Sequence, residues 1–327
     1  MAAQTGESAS TVLVCGEVRT CLLPTTQALD RRGAAQLLGL RADMYVRVSE
    51  RPIMHVLSPE TLTGVDCRLP ASDGSRTRAV GTVIGRAALT EGRLLQTTSY
   101  FGLPAVGPDT RRPWGQYLVR PGIVEPFGTL PRKATAAGVL QGARRGELDT
   151  GTIAEGLAAQ LCRHELLDRR APFASAPTRL RWVALRTGGD KPAALTNFTL
   201  AEDGLRTVKL RLPPDVPASA AAGLCEDLAL HDWLLTHVQR MLDDHPFDRA
   251  DDSRSLAALR PAVTHLLHLW MPRAHVDGAL AHLWDTLEAA PGFTRQWQNL
   301  VQRIRDQLTL LDLAQCRRAA SSKGCEE

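Results

Sequence analysis

Two polar residues that could do acid–base or metal chemistry lie inside a strongly apolar helical stretch. The segment Ala220–Asp243 has the spacing of one long helix, and Asp227 and His231 fall within its apolar arc. Because residues four apart are neighbours on a helix face, the carboxylate and the imidazole can contact each other. A buried carboxylate needs a partner, so we favour a structural pair. The alternative is a functional acid–base pair or two metal ligands.

Two further histidines could complete a metal site. His265 and His268 are three residues apart in a compact apolar helix predicted for Pro261–Trp270, so they share a face. With Asp227 and His231 they form a candidate metal site between two helices, as helix bundles build them. The Glu-x-x-His repeat of di-iron proteins and the His-Glu-x-x-His motif are absent from the sequence. The site rests on spacing alone, and we predict no cofactor and no catalytic residue.

A tryptophan on the polar side of the same helix suggests a different role. Trp233 falls there beside Glu226, His237 and Arg240. An exposed tryptophan on a polar face can anchor a partner protein. We therefore predict a partner-binding surface made of these four residues.

The arginine-rich first half raises the question of anion binding. The chain has 39 Lys and Arg against 35 Asp and Glu, a net charge of +4, and the excess lies before residue 172. Arg111 and Arg112 are candidate anion ligands, because guanidinium groups bind phosphate and carboxylate in bidentate fashion. The glycine-containing run at residues 81–85, GTVIG, lacks the lysine of a Walker motif and the third glycine of a dinucleotide fingerprint. No other nucleotide or nucleophile motif occurs.

The seven cysteines are scattered, odd in number and without a Cys-x-x-Cys pair. This pattern argues against a disulfide framework and a cysteine zinc cage, and it favours a reducing, cytoplasmic location. No apolar run is long enough for a membrane span, and the first ten residues do not resemble a secretory signal. Residues 1–10 and 313–327 are predicted to be disordered tails.

The helices and strands predicted around these residues indicate an α+β fold. Alternating strands over 11–101, including a hairpin with its turn at Glu91-Gly92, and two helices form a β-rich antiparallel domain at 11–170. A linker is predicted at 171–178, rich in proline, serine and alanine. A three-stranded antiparallel segment then leads into four helices within 179–312.

Several segments resemble an uncharacterised actinobacterial protein family of the Streptomyces type. They are GEVRTCLL (16–23), SPETLTGVDC (58–67), RLRWVALRTG (179–188), LCEDLALHDWLL (224–235), LRPAVTHLLHLWMP (259–272) and PGFTRQWQ (291–298). The resemblance covers most of the chain. It implies membership of a multiprotein assembly, with partners encoded by neighbouring genes, and it implies no activity or catalytic residue.

Together these observations predict a non-enzymatic cytoplasmic interaction or regulatory subunit of a multiprotein assembly. Two alternatives remain open. One is nucleic-acid or nucleotide binding through the arginine-rich domain, and the other is a metal-dependent enzyme using the Asp and His cluster of the C-terminal helices. Other proteins are the expected partners, nucleic acid is a weaker candidate, and no membrane span is expected.

Overall fold

The computed structural model describes residues 11–188, 191–201, 204–244 and 259–323. The chain divides into two compact units. The first unit consists of Met1–Leu230 with Arg273–Trp284, and the second consists of His231–Pro272 with Asp285–Glu327. The protein is a mixed α+β protein, as predicted, and a large sheet forms the centre of the first unit.

The sheet has ten strands, and its main path runs in the order β2-β3-β5-β6-β1-β8-β10-β9. The strands are β1 (Thr11–Leu22), β2 (Arg47–Ser49), β3 (His55–Leu57), β4 (Thr61–Arg68), β5 (Arg78–Thr90), β6 (Leu94–Pro104), β7 (Val124–Pro126), β8 (Thr178–Arg186), β9 (Ala194–Leu200) and β10 (Leu205–Leu212). β1 lies between β6 and β8 and pairs antiparallel with both.

The β5–β6 hairpin is the most buried part of the sheet and was correctly predicted. Its turn places Glu91 at φ 49° and Gly92 at φ 60°. Two consecutive positive φ values match the twist of the flanking strands, which explains the glycine at the second position. Gly81 in β5 is another position where glycine is required. A Cβ there would lie 2.1 Å from the Ile123 carbonyl oxygen, because another backbone segment approaches β5 closely at this point.

One strand, β5, has four partners. Its first half pairs with β4 on one side and β7 on the other, while its second half pairs with β3 and β6. This arrangement brings the short strand β3, which carries His55, next to Thr90 at the end of β5.

Four helices of the first unit precede β8. They are α1 (Arg31–Leu37), α2 (Trp114–Leu118), α3 (Arg132–Gln141) and α4 (Thr150–Cys162). α3 packs on β1 and β8, and α4 packs on β1, β5 and β6. Buried strand hydroxyls bind α4 directly, because Ser99 Oγ donates to the Thr150 carbonyl at 2.6 Å and Thr97 Oγ1 to the Ala154 carbonyl at 2.9 Å.

The long helix α5 (Ala218–Asp243) begins on the opposite face of the sheet. Gln96 Nε2 donates to the Glu226 carbonyl at 2.8 Å, whereas the next residue, Thr97, bonds to α4. Because successive strand residues point to opposite faces, the start of α5 and α4 cover different sides. The predicted helix Ala220–Asp243 is thus confirmed within two residues of its start.

The second unit is helical in its described residues. It contains the second half of α5, a π-helical segment (Ala262–Leu266), a 3-10 turn (Leu267–Leu269), most of α6 (Leu283–Ala289) and α7 (Phe293–Lys323). The indole rings of Trp270 and Trp297 stack there at 4.5 Å between centroids and 7° between planes. Aromatic core filling, a common use of tryptophan, accounts for this pair.

Several predicted boundaries are wrong. The linker at 171–178 does not separate two domains, because β8 pairs with β1 in the same sheet. The three strands after it are not wholly antiparallel, since β10 lies between β8 and β9 and runs parallel to β8. Sequence periodicity identifies strands but not the order in which they pair.

The predicted C-terminal helices also need correction. The helix expected over Pro261–Trp270 is a π-helical segment followed by a 3-10 turn, and apolar spacing does not distinguish these from an α-helix. The next helix starts only at Leu283, because Asp277 Oδ1 accepts a hydrogen bond from the Ala279 N–H and forms a turn before it. α7 continues to Lys323, into the tail predicted at 313–327, whereas residues 1–10 and 324–327 lie outside the described residues.

Candidate functional site

A cleft of about 540 Å³ with a mixed apolar and polar lining lies in the first unit. One wall is the first half of α5, another is formed by β2, β3 and β5, and the segment 274–277 completes it. We call it the α5 cleft. Its polar lining includes His55, Arg86, Glu226, Asp227 and His275. A volume of this size is typical of sites for small organic molecules.

A buried ion pair joins β5 to α5 at the floor of the cleft. Arg86 Nε and Nη2 each lie 2.8 Å from a Glu226 carboxylate oxygen, and the two side chains are only 5% and 9% exposed. Arg86 Nη2 also donates to the Ser219 carbonyl at 3.3 Å. Although burial lowers the pKa of Arg86, the Glu226 carboxylate raises it above its ordinary value, so the guanidinium stays charged.

A tyrosine beneath this pair completes a buried polar network. The Arg86 guanidinium lies 5.5 Å from the centre of the Tyr100 ring. The Tyr100 hydroxyl donates to Glu60 Oε1 at 2.6 Å, and Glu60 lies 4.0 Å from Arg86. Burial raises the pKa of Tyr100, so the phenol remains protonated. Arg86 balances the buried Glu226 carboxylate, and the second carboxylate, Glu60, is 37% exposed to solvent, which limits the desolvation cost of the network.

Two histidines stack on one another in the cleft. The rings of His55 and His275 have centroids 4.0 Å apart and planes inclined by 17°. His55 Nδ1 is 3.2 Å from Thr90 Oγ1. Burial, and then the proximity of His275 and Arg86, lowers the pKa of His55 to about 3. His55 is therefore a neutral imidazole at physiological pH.

Asp227 lies on the α5 wall and is only 4% exposed. Its Oδ2 accepts a hydrogen bond of 2.9 Å from the Arg273 backbone N–H. Burial raises the pKa of Asp227 to about 7, although the Arg273 hydrogen bond, His275 and Trp284 oppose that shift. Asp227 also ties the segment that carries His275 to α5.

The cleft thus holds titratable groups whose environments shift their pKa values in opposite directions. Near neutral pH, His55 offers an uncharged ring nitrogen and Asp227 can give or take a proton. Groups of this kind in one cleft are frequent in binding and catalytic sites.

The predicted partner-binding surface is wrong, because most of it is buried. Trp233 is 0% exposed, and its ring stacks on His237 at 3.9 Å. His237 Nδ1 is 2.9 Å from the Trp233 carbonyl oxygen. Glu226 is held by the ion pair, and only Arg240 is exposed. The apolar arc of α5 is wider than its spacing indicates, so the polar side of the helix wheel is covered as well.

The residues of the predicted metal site have other partners. Asp227 accepts a hydrogen bond from the Arg273 backbone N–H, and the His231 ring meets Trp270 edge-on at 4.7 Å. His265 is half-buried and His268 is exposed. Within the described ranges, no group of three or more His, Cys, Asp or Glu side chains is arranged to hold a metal ion.

The two arginines predicted to bind anions both contact carboxylates. Arg111 Nη2 lies 3.4 Å from Asp66 Oδ2, and Arg112 Nη1 lies 3.6 Å from Glu125 Oε1. Arg111 also lies over the Trp114 ring at 5.4 Å. Each carboxylate also contacts a second arginine, Asp66 with Arg78 and Glu125 with Arg120, so the positive charge of these arginines is only partly compensated.

Three residues of the cleft were not predicted from the sequence: His55, Arg86 and His275. A signal for Arg86 was present, because it is the one charged residue between two apolar runs of a predicted central strand. A charge in such a place needs a buried partner. His55 and His275 are 220 positions apart in the sequence, and no local pattern relates them.

No helix in the described part of the chain is long and apolar enough to cross a bilayer. Comparisons of the chain with protein families, with curated proteins and with solved structures found no match.

Proposed function

We propose that this protein binds a small, neutral, polar organic molecule in the α5 cleft. The observation that carries the proposal is the convergence of stacked imidazoles, a buried carboxyl group and a locally paired Arg–Glu bridge around one cavity of about 540 Å³. Ligand sites commonly combine an apolar lining with a few polar groups that fix the orientation of the ligand.

The charge balance of the lining favours a neutral ligand. Arg86 is paired with Glu226, and the remaining charged groups are Arg47, Asp277 and Asp227. Arg47 and Asp277 carry opposite charges, and the pKa of Asp227 near 7 leaves it partly protonated. The cleft therefore offers no excess positive charge for a phosphate, which needs cationic or backbone N–H partners.

Hydrogen-bonding groups in the lining suit a molecule with both donors and acceptors. Neutral imidazole offers one donor and one acceptor, and a carboxyl group near its pKa offers either. Val48, Leu57 and Leu230 supply apolar contact in the same cleft. Together they fit a hydroxylated or amide-containing molecule better than a hydrocarbon.

The other hypotheses stay predictions. The hypothesis of an interaction subunit can no longer use Trp233 as the residue that anchors a partner, because that ring is buried. Nucleic-acid binding keeps Arg111 and Arg112 as candidate contacts, although each of them lies beside a carboxylate that it shares with another arginine.

Ligand-observed saturation-transfer NMR against a defined panel tests the proposal. The panel contains nucleosides, monosaccharides and amino-acid amides, each beside its phosphorylated or carboxylated counterpart where one exists. We expect binding among the neutral compounds and weaker binding of their anionic counterparts. A panel in which nothing binds, or in which the anions bind better, would refute the proposal.

A cleft-filling variant assigns any binding to this site. A Cβ at Gly223 would lie 3.8 Å from Arg86 Nη2 and 3.9 Å from the His275 carbonyl, so Gly223→Leu fills the cleft without a backbone clash. Gly156→Leu is the matched control, because Gly156 is in helix α4 with nothing within 4 Å of its Cβ position. Binding should disappear in Gly223→Leu and persist in Gly156→Leu. Equal binding by both folded variants would place the ligand elsewhere.

A further inference from the structure

Two carboxylates, each beside several arginines, lie where β4 and β7 flank the first half of β5. Asp66 on β4 and Glu125 on β7 are both paired in register with Val80 of β5. They therefore share one face of the sheet, and their Cα atoms are roughly 10 Å apart, the width of two strand spacings. We call the arginines around them the arginine patch: Arg68, Arg78, Arg111, Arg112 and Arg120.

Three arginines of the patch lie beside Asp66. Arg78 Nη2 is 2.8 Å and Arg111 Nη2 is 3.4 Å from its carboxylate oxygens. Arg68 is two residues further along β4, on the same face, and directly opposite Arg78 on β5. Like charges in such a cross-strand pair repel each other, so an anion bound from solvent would stabilise this arrangement.

The other two arginines share Glu125. Arg112 Nη1 lies 3.6 Å from Glu125 Oε1, and Arg120 Nη1 contacts the same oxygen. The Glu125 side chain is only 7% exposed, whereas the Arg112 side chain is 43% exposed. The carboxylate thus holds the guanidinium groups in place from beneath, while their outer N–H groups face solvent.

The positive charge of the patch is not cancelled by its surroundings. Its five arginines exceed Asp66 and Glu125 by three charges. Asp109, in the loop before α2, and Glu147, which forms a backbone bridge with Arg68, add two negative charges. Arg144 and Arg145 are exposed just before Glu147 and add two positive charges. The surface therefore complements a polyanion.

An exposed tryptophan lies within the patch. Trp114, at the start of α2, is 39% exposed, and the Arg111 guanidinium lies 5.4 Å from the centre of its ring. A Cβ at Gly64 would lie 3.3 Å from the indole, so the glycine lets the ring lie close against β4. The Tyr117 hydroxyl accepts a hydrogen bond of 3.0 Å from the Arg112 backbone N–H. Planar groups can stack on an aromatic ring and on the guanidinium planes beside it.

We propose that the arginine patch binds single-stranded nucleic acid. Its guanidinium groups contact the phosphates, and unpaired bases stack on Trp114 and on the neighbouring guanidinium planes. In a duplex the bases are stacked on one another, so only the phosphate contacts remain. The site is distinct from the α5 cleft and does not depend on its ligand, because Arg78 and Arg86 are eight residues, about 26 Å, apart along β5.

Fluorescence anisotropy with a labelled single-stranded DNA 20-mer of mixed sequence tests the proposal. We expect binding at about 50 mM salt that weakens about 15- to 130-fold at about 200 mM, as three to five phosphate contacts predict. The duplex of the same sequence should bind more weakly. No anisotropy change with about 100 µM protein at the lower salt concentration would overturn the proposal. Equal binding of the duplex, or a preference for anionic lipid vesicles, would also overturn it.

Matched arginine variants assign the binding to the patch. Arg111→Gln should weaken binding and reduce the slope of log affinity against log salt by about 0.7. The control is Arg31→Gln, because Arg31 on α1 is also an exposed arginine paired with a carboxylate, that of Glu50. Arg31→Gln should change neither quantity. Equal losses in the two variants would mean that the charge of the whole surface binds the DNA, and the assignment would fail.

Tryptophan variants test the stacking. Trp114→Ala should weaken binding about 5- to 150-fold, the effect of losing one stacked base. Trp114→Phe keeps an aromatic ring, so it should bind nearly as the parent does, while the quenching of tryptophan fluorescence by bound DNA should fall. Circular dichroism checks that both variants stay folded. If folded Trp114→Ala bound DNA as tightly as the parent, no base would stack there and the proposal would be refuted.

Discussion

The Arg86–Glu226 pair is the structural feature whose removal should have the largest effect on the α5 cleft. Glu226→Gln keeps the shape of the side chain and leaves the Arg86 guanidinium buried without its counter-ion. Arg86→Met removes the cation and leaves the Glu226 carboxylate buried. Replacing both residues, as Arg86→Met with Glu226→Leu, leaves no buried charge.

The expected magnitudes follow from burial. Removing one partner of a buried pair costs about 3–5 kcal/mol of unfolding free energy. Glu226→Gln should lie near the lower end, because the amide keeps one acceptor and Glu60 lies 4.0 Å from Arg86. The double variant should lie within about 1 kcal/mol of the parent, since an apolar pair of similar volume often replaces a buried ion pair without loss. Each single variant should therefore be less stable than the double variant by about 2 kcal/mol or more.

Urea unfolding followed by circular dichroism measures all four proteins at pH 7. The control is the Arg31–Glu50 pair, which has the same N–O distance of 2.8 Å but side chains 68% and 62% exposed. Its single variants should change stability little, because surface pairs are screened by solvent. If the Arg86 and Glu226 variants proved additive, or no more costly than the surface variants, the pair would not be desolvated and our description of the cleft floor would fail.

Three further predictions concern a carboxyl group, a glycine and a tryptophan. Because burial raises the pKa of Asp227 from 3.8 to about 7, its stabilising contribution is complete below pH 4 and is lost as the pH rises toward 7. In the Asp227→Asn variant, the melting temperature should change less with pH between pH 4 and 7 than it does in the parent protein. Gly81→Ala should cost about 1–3 kcal/mol or more in urea unfolding, because the new Cβ meets the Ile123 carbonyl, whereas Gly156→Ala should be neutral or stabilising. Trp233→Ala should cost about 3–5 kcal/mol in the same assay, as expected for a core residue and not for a partner-binding surface.

Local patterns predicted the elements better than their arrangement. The β5–β6 hairpin and α5 were recognisable, because alternation, turn residues and helical spacing are encoded within short windows. The placement of β8 beside β1 was not, since it depends on pairing between residues more than 150 positions apart. The composition of residues 171–178 is typical of a linker, and it therefore led to the prediction of a domain boundary within what is one continuous sheet.

Most of the candidate site could not be predicted from the sequence. Asp227 and Glu226 were singled out from the helix wheel, but their partners, Arg273 and Arg86, come from other segments. The exposure of Trp233 was predicted from the polarity of its neighbours on the wheel. That inference fails when neighbouring polar groups are themselves buried in pairs, as Glu226 is.

The pairing of β1 with β8 also has a consequence for synthesis on the ribosome. The N-terminal strand is made early, yet one of its edges has no β8 to pair with until residues 178–186 have been translated. At about 5–20 residues per second, that interval is roughly 10–30 s. During it, one edge of β1 presents unpaired backbone groups, which makes nascent chains prone to association. Chains arrested before residue 178 should therefore bind chaperones more strongly than chains arrested after β10 has emerged.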